Sequence, residues 1–302
     1  MFPRSLTLFR VAPAHIPPSL ETAFAEHLCR EPGPLEMSTR GFVSPFPGGD
    51  SRMTISDHGN CTGFVVAIHE RILPGAAVSA EAKKRCQKIV DQEGRRPSGR
   101  ERKRIRDDVL TEMIKHAPVH VRRVLAWVDH VNGWVVVDTS SRRTAEQVVH
   151  QVREALGSFP AVALAPEESP RALLTDWLAT GNLPAGFSLG EDCELRDPST
   201  SHGSIVRCRR QDLEAEEVRE HLRSGKQAFH LGIEFDQRTG FVLSEQLGVT
   251  KLRFFDVVLD QVGKQYESPD AELQGRFALA ALEVARLLRH LEEVFTIPVP
   301  EA

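Results

Sequence analysis

The sequence predicts an α+β protein in which strands and helices do not alternate as regular βαβ units. Three observations carry this prediction. Short runs rich in β-branched or alternating apolar residues, typical of strands, occur along the whole 302-residue chain. Other segments have apolar residues at helical spacing and carry capping residues at their ends. Asn132-Gly133 joins two of the strand segments and favours an antiparallel hairpin with a type I′ turn.

Predicted strands occur in both halves of the chain, and we expect them to pair in an antiparallel manner. The first of them is the alternating segment SLTLFRV. The predicted strands are 5–11, 62–70, 124–131, 134–138, 203–210, 226–236, 240–245 and 249–256.

The predicted helices are recognised by their apolar faces and by their caps. Ser19, Ser169 and Asp212 are the expected N-caps of three helices, Gly225 ends the helix that Asp212 begins, and Gly157 ends a fourth. The predicted helices are 19–28, 79–94, 100–117, 142–157, 169–181, 212–225 and 268–295.

The second and third of these helices have few apolar residues and are joined by a turn that contains Pro97 and Gly99. We expect a helical hairpin that projects from the body of the protein, because its apolar stripe is thin. The sequence thus divides into a first part of the body at 1–76, the hairpin at 77–118, the rest of the first α+β unit at 119–180, and a second α+β unit at 181–302.

Composition excludes several classes of protein. No apolar run is long enough to span a membrane, and the first residues lack the pattern of a signal peptide, so we expect a cytoplasmic protein. The five cysteines are odd in number and no two have C-x-x-C spacing, which argues against a disulfide framework and a structural zinc site. Without a nucleotide-binding fingerprint, we expect no cofactor.

Charge is segregated along the chain. Residues 83–106 contain eleven basic and three acidic residues, a local net charge of +8, although the whole chain is formally −4. One interpretation is a solvated helical face. The other is a surface for phosphates, because Lys and Arg release the counterions condensed on nucleic acids whatever the base sequence.

A second basic cluster lies in the strand segment 203–210. Arg207 and Arg209 are expected on one face of this strand and Arg210 on the other. Protection of an edge strand by charge is the alternative interpretation. Lys226 follows a predicted helix end and could lie near this cluster, and Arg122 stands at the start of the hairpin strand.

Several stretches in order along the chain resemble the RdgC family of bacterial recombination-associated proteins. They are ERILP at 70–74, RDDVL at 106–110, AWVDHVNGWVVVD at 126–138, EALGSFPAVAL at 154–164, LLTDWL at 173–178, GSIVRCRRQDL at 203–213, HLRSGK at 221–226 and TKLRFFD at 250–256.

The resemblance implies a fold of two similar antiparallel-sheet-plus-helix units with a helical tip, in a homodimer that closes a ring around duplex DNA. It also implies sequence-independent binding of double-stranded DNA, weaker binding of single strands, association with the nucleoid and restraint of RecA-dependent recombination, without catalysis. The DNA-binding residues implied by charge and resemblance are Lys83, Lys84, Lys88, Arg95, Arg96, Arg100, Arg102, Arg122, Arg207, Arg209, Arg210, Gln211 and Lys226. A tip-to-tip dimer contact is expected at His116, Pro118 and Val119, where Pro118 replaces the family's aromatic residue.

Two other functions remain open from the residues. A metal-dependent exonuclease needs clustered carboxylates, and Glu234 and Asp236, expected on one strand face, are the best candidates. Weaker candidates are the carboxylates Asp129 and Asp138 and the histidines His116, His120 and His130. The second open function is a protein-interaction module, in which the basic segment 83–106 binds an acidic partner protein.

Overall fold

The structure is a computed structural model that describes residues 2–48, 51–57, 59–199, 203–263 and 266–301. The chain forms two compact units. Unit 1 comprises Met1–Glu26, Ser44–Val65 and Val124–Ala302, and unit 2 comprises His27–Val43 and Val66–Arg123. The four-part division expected from the sequence remains a prediction.

The strands and helices confirm the α+β class. The strands are β1 Leu6–Arg10, β2 Ser38–Val43, β3 Thr54–Ser56, β4 Cys61–Arg71, β5 Val119–Asp129, β6 Trp134–Asp138, β7 Val162–Ala163, β8 Phe187–Arg196, β9 Ile205–Cys208, β10 Gln227–Phe235, β11 Thr239–Ser244 and β12 Val249–Phe254. The α-helices are α1 Glu21–Ala25, α2 Gly75–Glu93, α3 Gly99–Ile114, α4 Arg142–Leu156, α5 Pro170–Thr180, α6 Glu216–Arg223, α7 Asp256–Leu259 and α8 Pro269–Phe295.

Unit 1 is built on an antiparallel sheet with the strand order β5-β6-β1-β12-β11-β10-β8-β9. The long helix α8 covers it with the apolar face predicted from the sequence, from Phe277 to Phe295. Trp127 packs edge-on against Phe277, and Trp177 contacts Phe295. These tryptophans are core residues, as expected from the apolar runs that contain them.

The first strand differs from its expected pattern. SLTLFRV alternates in sequence, but all five residues of β1 are buried, because the strand lies in the interior of the sheet order. Even Arg10 is only 1% exposed. Its guanidinium lies over the Trp134 ring, donates to the carbonyl of Asn132 and pairs with Glu292, so its charge is compensated, whereas its buried Nε has no partner among the described residues.

Unit 2 contains β2, the later part of β4, the start of β5, and the helices α2 and α3. Arg71 holds the irregular segment 32–36 in place by donating to the carbonyls of Glu36, Pro32 and Gly33, and it also donates to the carbonyl of Ala117. Four backbone carbonyls are thereby satisfied by one side chain, which fixes the chain beside the helix pair.

Several local predictions are wrong in detail. The β5–β6 connection is not a type I′ turn: residues 130–133 form the loop, and only Gly133 in the predicted dipeptide has positive φ. The side chain of Asp129 caps this loop instead, accepting from the amides of Val131 and Asn132. The next predicted caps are also shifted along the chain.

Helix α1 begins after Leu20 rather than at Ser19, and α6 begins after Ala215 rather than at Asp212. Asp212 accepts from the amide of Glu214 and shapes the preceding turn. The caps of Ser169 and Gly157 are confirmed. No helix in the described part of the chain is both long and apolar enough to cross a membrane.

Candidate nucleic-acid interface

The basic stretch of the sequence forms the antiparallel helix pair α2–α3. Gly94 ends α2 with φ 65°, a left-handed conformation that suits glycine. Ser98 and Glu101 form a capping box that starts α3. The helices pack through a narrow apolar strip made of Leu73, Val78, Ala82, Ile105, Val109 and Met113. This strip uses one face of each helix and leaves the basic side chains on the others.

Three of the eleven basic residues between 83 and 106 are engaged by carboxylates. Lys84 lies 3.8 Å from Glu81, and Arg85 pairs with Glu112 at 2.6 Å. Arg95 pairs with both Glu93 and Glu101, each at 2.7 Å. The Arg95 guanidinium lowers the pKa of the Glu101 carboxyl through this hydrogen bond, so the pair is ionised at neutral pH.

The other eight cations are exposed, and no described residue forms an ion pair or side-chain hydrogen bond with them. We call these residues the open cations. They are Lys83, Lys88, Arg96, Arg100, Arg102, Lys103, Arg104 and Arg106. Arg100, Lys103 and Arg104, spaced three and four residues apart, lie on the side of α3 opposite Ile105 and Val109. We call these three residues the outer stripe.

The start of β5 carries the predicted dimer contact. His116, Pro118 and Val119 are exposed, and Val121 on the same strand face as Val119 is 52% exposed. Arg122 is exposed on the same strand. Two exposed valines on one strand face form a small apolar surface, and its role as an interface stays a prediction.

The second basic cluster lies in unit 1, and its strand is shorter than predicted. Strand β9 ends at Cys208, so Arg209 and Arg210 follow it rather than alternating across it, and Arg210 has φ 52°. Arg207 on the strand pairs with Glu194 at 2.6 Å. The amide of Gln211 donates to the carbonyl of Glu191, which holds the segment 209–211 beside β8.

Arg209 and Arg210 line a groove of about 720 Å³ in unit 1. Sequence reasoning missed the groove, because its other cations come from segments distant in sequence. The groove also carries the charged residues Arg4, Glu191, Asp192, Glu234, Lys251 and Arg253. Lys251 pairs with Asp192 at 2.9 Å. Lys226 donates to the hydroxyl of Ser224 instead of lining this groove.

Glu194 is a further charged centre that the sequence did not single out. Its carboxylate binds Arg207 and Arg196, and His230 lies 3.8 Å away. Although burial opposes ionisation, these arginines lower the pKa of Glu194 below its ordinary value. The alternating charges of β8 and β9 could have indicated such cross-strand pairs.

The carboxylates considered for a nuclease do not match the expected arrangement. Glu234 lies on β10, but that strand ends at Phe235, and Asp236 follows it with φ 50°. The expected common strand face is therefore wrong. Asp138 accepts from the amides of Arg4 and Ser5, and burial raises the pKa of its carboxyl. Asp129 caps the loop described above.

Within the described ranges, no three His, Cys, Asp or Glu side chains form a group suited to a metal ion. His116 and His120 are exposed, whereas His130 bonds to the hydroxyl of Thr62. The proposed metal ligands of the sequence are thus spread over separate structural roles.

Fold and surface together define an α+β protein that carries a strongly cationic helix pair. The family profile described as "Putative exonuclease, RdgC" matches residues 1–297, and the chain belongs to the RdgC family. Curated relatives named "Recombination-associated protein RdgC" align over the full length. The chain is 41% identical over 304 residues to the relative from Xanthomonas campestris pv. campestris strain B100, covering 100% of both chains. It is 40% identical over 298 residues to that of Stenotrophomonas maltophilia strain R551-3, covering 98% of this chain and 99% of the relative.

Proposed function

We propose that this protein binds duplex DNA without sequence preference, acts as a homodimer that encircles the duplex, and restrains RecA-dependent recombination without catalysing a reaction. The observation that carries the proposal is the set of eight open cations on the helix pair α2–α3. The names of the relatives, which refer to recombination, agree with a role on DNA.

The open cations suit the phosphate backbone because no described residue neutralises their charge. Helix α3 has 16 residues and is about 24 Å long. Duplex DNA carries about one negative charge per 1.7 Å of axis, so a helix of this length meets several phosphates. Such contacts position a protein on DNA and carry no base sequence information directly.

The local electrostatics of α3 also favour a polyanion. Arg100 and Arg102 lie in the first turn of α3, where the helix dipole already presents positive charge. Arg100 and Arg104 form a like-charge pair four residues apart, which is unfavourable in an isolated helix. An adjacent row of phosphates offsets both the unfavourable helix-dipole interaction and the like-charge repulsion. Single strands have a lower charge density and therefore bind more weakly in this proposal.

The test is the anisotropy of two labelled duplexes of unrelated sequence over a salt series, with and without magnesium. We expect equal affinities for both sequences and a loss of about a thousandfold or more between 50 and 200 mM salt, as for six or more phosphate contacts. Weak binding with little salt dependence refutes the proposal. Shortened DNA in the magnesium samples supports the exonuclease instead.

Occupancy of DNA is the proposed means of acting on recombination. Added protein should slow RecA-promoted strand exchange in proportion to the fraction of duplex bound. Slowing at concentrations that leave the duplex free would indicate a direct contact with RecA, and no effect at saturation would remove this part of the proposal.

A further inference from the structure

Two cysteines lie directly opposite each other at the edge of the sheet in unit 1. Cys193 on β8 and Cys208 on β9 are register partners in an antiparallel pair. Both thiols are free, and the residues are 5% and 8% exposed. Opposed residues of antiparallel strands point to the same face, so the two sulfur atoms share one side of the sheet.

The backbone spacing of this pair suits a disulfide. Opposed residues in an antiparallel ladder have Cα atoms about 4.5–5.5 Å apart, and a disulfide accepts about 4.4–6.8 Å. Cys208 lies close enough to contribute, after burial, to the raised pKa of the Cys193 thiol. The bond can therefore form with side-chain rotation and small backbone adjustment.

The position of Cys208 gives this pair a consequence. Strand β9 has four residues and ends the strand order, so β8 is its one partner among the described strands. Cys208 directly precedes Arg209, Arg210 and Gln211. A link at Cys208 would restrain the strand end from which this basic segment starts.

We propose that Cys193 and Cys208 form a redox modification site, at which a hydroperoxide converts the opposed thiols into a cross-strand disulfide that restrains the segment 209–211. The thiolate of one cysteine attacks the O–O bond of the peroxide, becomes a sulfenic acid and releases hydroxide. The sulfur of the second cysteine then attacks the sulfenic sulfur and releases water. In sum, two thiols and one hydrogen peroxide give one disulfide and two waters.

Burial makes this a slow reaction in the closed sheet. Burial raises the pKa of Cys193 to about 12, so little of its thiolate exists at neutral pH. Separation of the short edge strand exposes Cys208 for the first step, and re-pairing of β9 with β8 brings Cys193 to the sulfenic acid. We therefore expect conditions that loosen the strand to accelerate oxidation.

The test uses the full-length protein with hydrogen peroxide, followed by blocking of free thiols and tryptic mapping without reductant. Trypsin separates residues 172–196, which contain Cys193, from the dipeptide Cys208–Arg209. We expect these two peptides joined, with a loss of two hydrogen atoms that reductant reverses. Cys193→Ser should abolish the link, whereas Cys61→Ser, which alters a buried cysteine on β4, should leave it intact.

Hydrogen exchange supplies a second measurement on the wild-type protein. In the oxidised form, exchange at residues 206–211 should slow by about tenfold or more, because a link that closes the 193–208 loop restricts the opened state. Free thiols after peroxide treatment, sulfinic acid at either cysteine, or a link to another cysteine would each overturn the proposal. An established link with unchanged exchange at 206–211 would overturn the proposed restraint.

Discussion

The outer stripe gives the sharpest perturbation of the proposed DNA surface. The variant Arg100→Ala/Lys103→Ala/Arg104→Ala removes three open cations from the exposed side of α3. Alanine is the best helix former, so the helix itself is preserved. The matched control is Arg95→Ala, which removes a cation that is already paired with Glu93 and Glu101.

The expected magnitude comes from counting phosphates. Each neutralised phosphate contributes about −0.9 to the slope of log K against log salt, so three lost contacts should reduce the slope by about 2.7. The affinities of wild type and variant converge at high salt. At one quarter of that salt concentration, a slope difference of about 2.7 makes the affinity of the variant about fortyfold lower than that of the wild type. Arg95→Ala should change the slope by less than about one, because Arg95 offers the phosphates a compensated charge.

The stability of the free protein separates this effect from misfolding. The outer-stripe variant should be as stable as the wild type or more stable, since it relieves the like-charge pair Arg100–Arg104 and the charge at the helix N-terminus. The assays are anisotropy at five salt concentrations and urea unfolding. An unchanged slope in a stable outer-stripe variant refutes the reasoning, as does an equal loss of slope in Arg95→Ala.

Three further predictions concern stability, pH and assembly. The Glu283 carboxylate, with 2% side-chain exposure, is held by two guanidinium groups, so Glu283→Gln should lower the free energy of unfolding in urea by about 2 kcal/mol. The control is Glu272→Gln, which changes an exposed, paired carboxylate on the same helix and should lower it by less than about 1 kcal/mol. Equal losses in the two variants would contradict the argument. Burial lowers the pKa of His230, so its contribution to stability is complete above the unfolded pKa of about 6.5 and declines as pH falls through the lower folded value. His230→Gln should therefore reduce the change in the free energy of urea unfolding between pH 7 and pH 5. An unaltered pH dependence would exclude this role. Val119→Asp should shift a dimer toward monomer in light scattering after gel filtration, whereas Val131→Asp, at a more exposed loop position, should not. A monomeric wild type, or a dimer that survives Val119→Asp, would remove Val119 from the interface.

Much of the fold follows from periodicity. The long helix α8 has an uninterrupted apolar face, and its residues pack as their spacing predicts. Boundaries were less predictable where a side chain outside the repeating pattern decides them. Asp129, rather than Asn132-Gly133 alone, shapes the β5–β6 loop, because its carboxylate satisfies two loop amides.

The basic helix pair could be predicted because its signal is local in sequence. The groove beside β8 could not, because Arg4, Arg209 and Arg253 are brought together only by strand pairing. Nor did the sequence distinguish paired from open cations. Arg95 and Arg207 were both expected on DNA, but both are held by carboxylates, whereas Arg96, next to Arg95, has no such partner among the residues described.

The distribution of charge along the helix pair follows from its antiparallel arrangement. Residues of α2 near its end and of α3 near its start lie together at the loop, where most of the open cations are found. Glu81 and Glu112 lie toward the other end and engage Arg85 there. At the loop end Glu93 and Glu101 engage Arg95, and the open cations there have no partner among the described residues. A helix surface designed only for solubility would intersperse the two signs, and the local cost accepted at the start of α3 is what a surface selected to meet phosphates would carry.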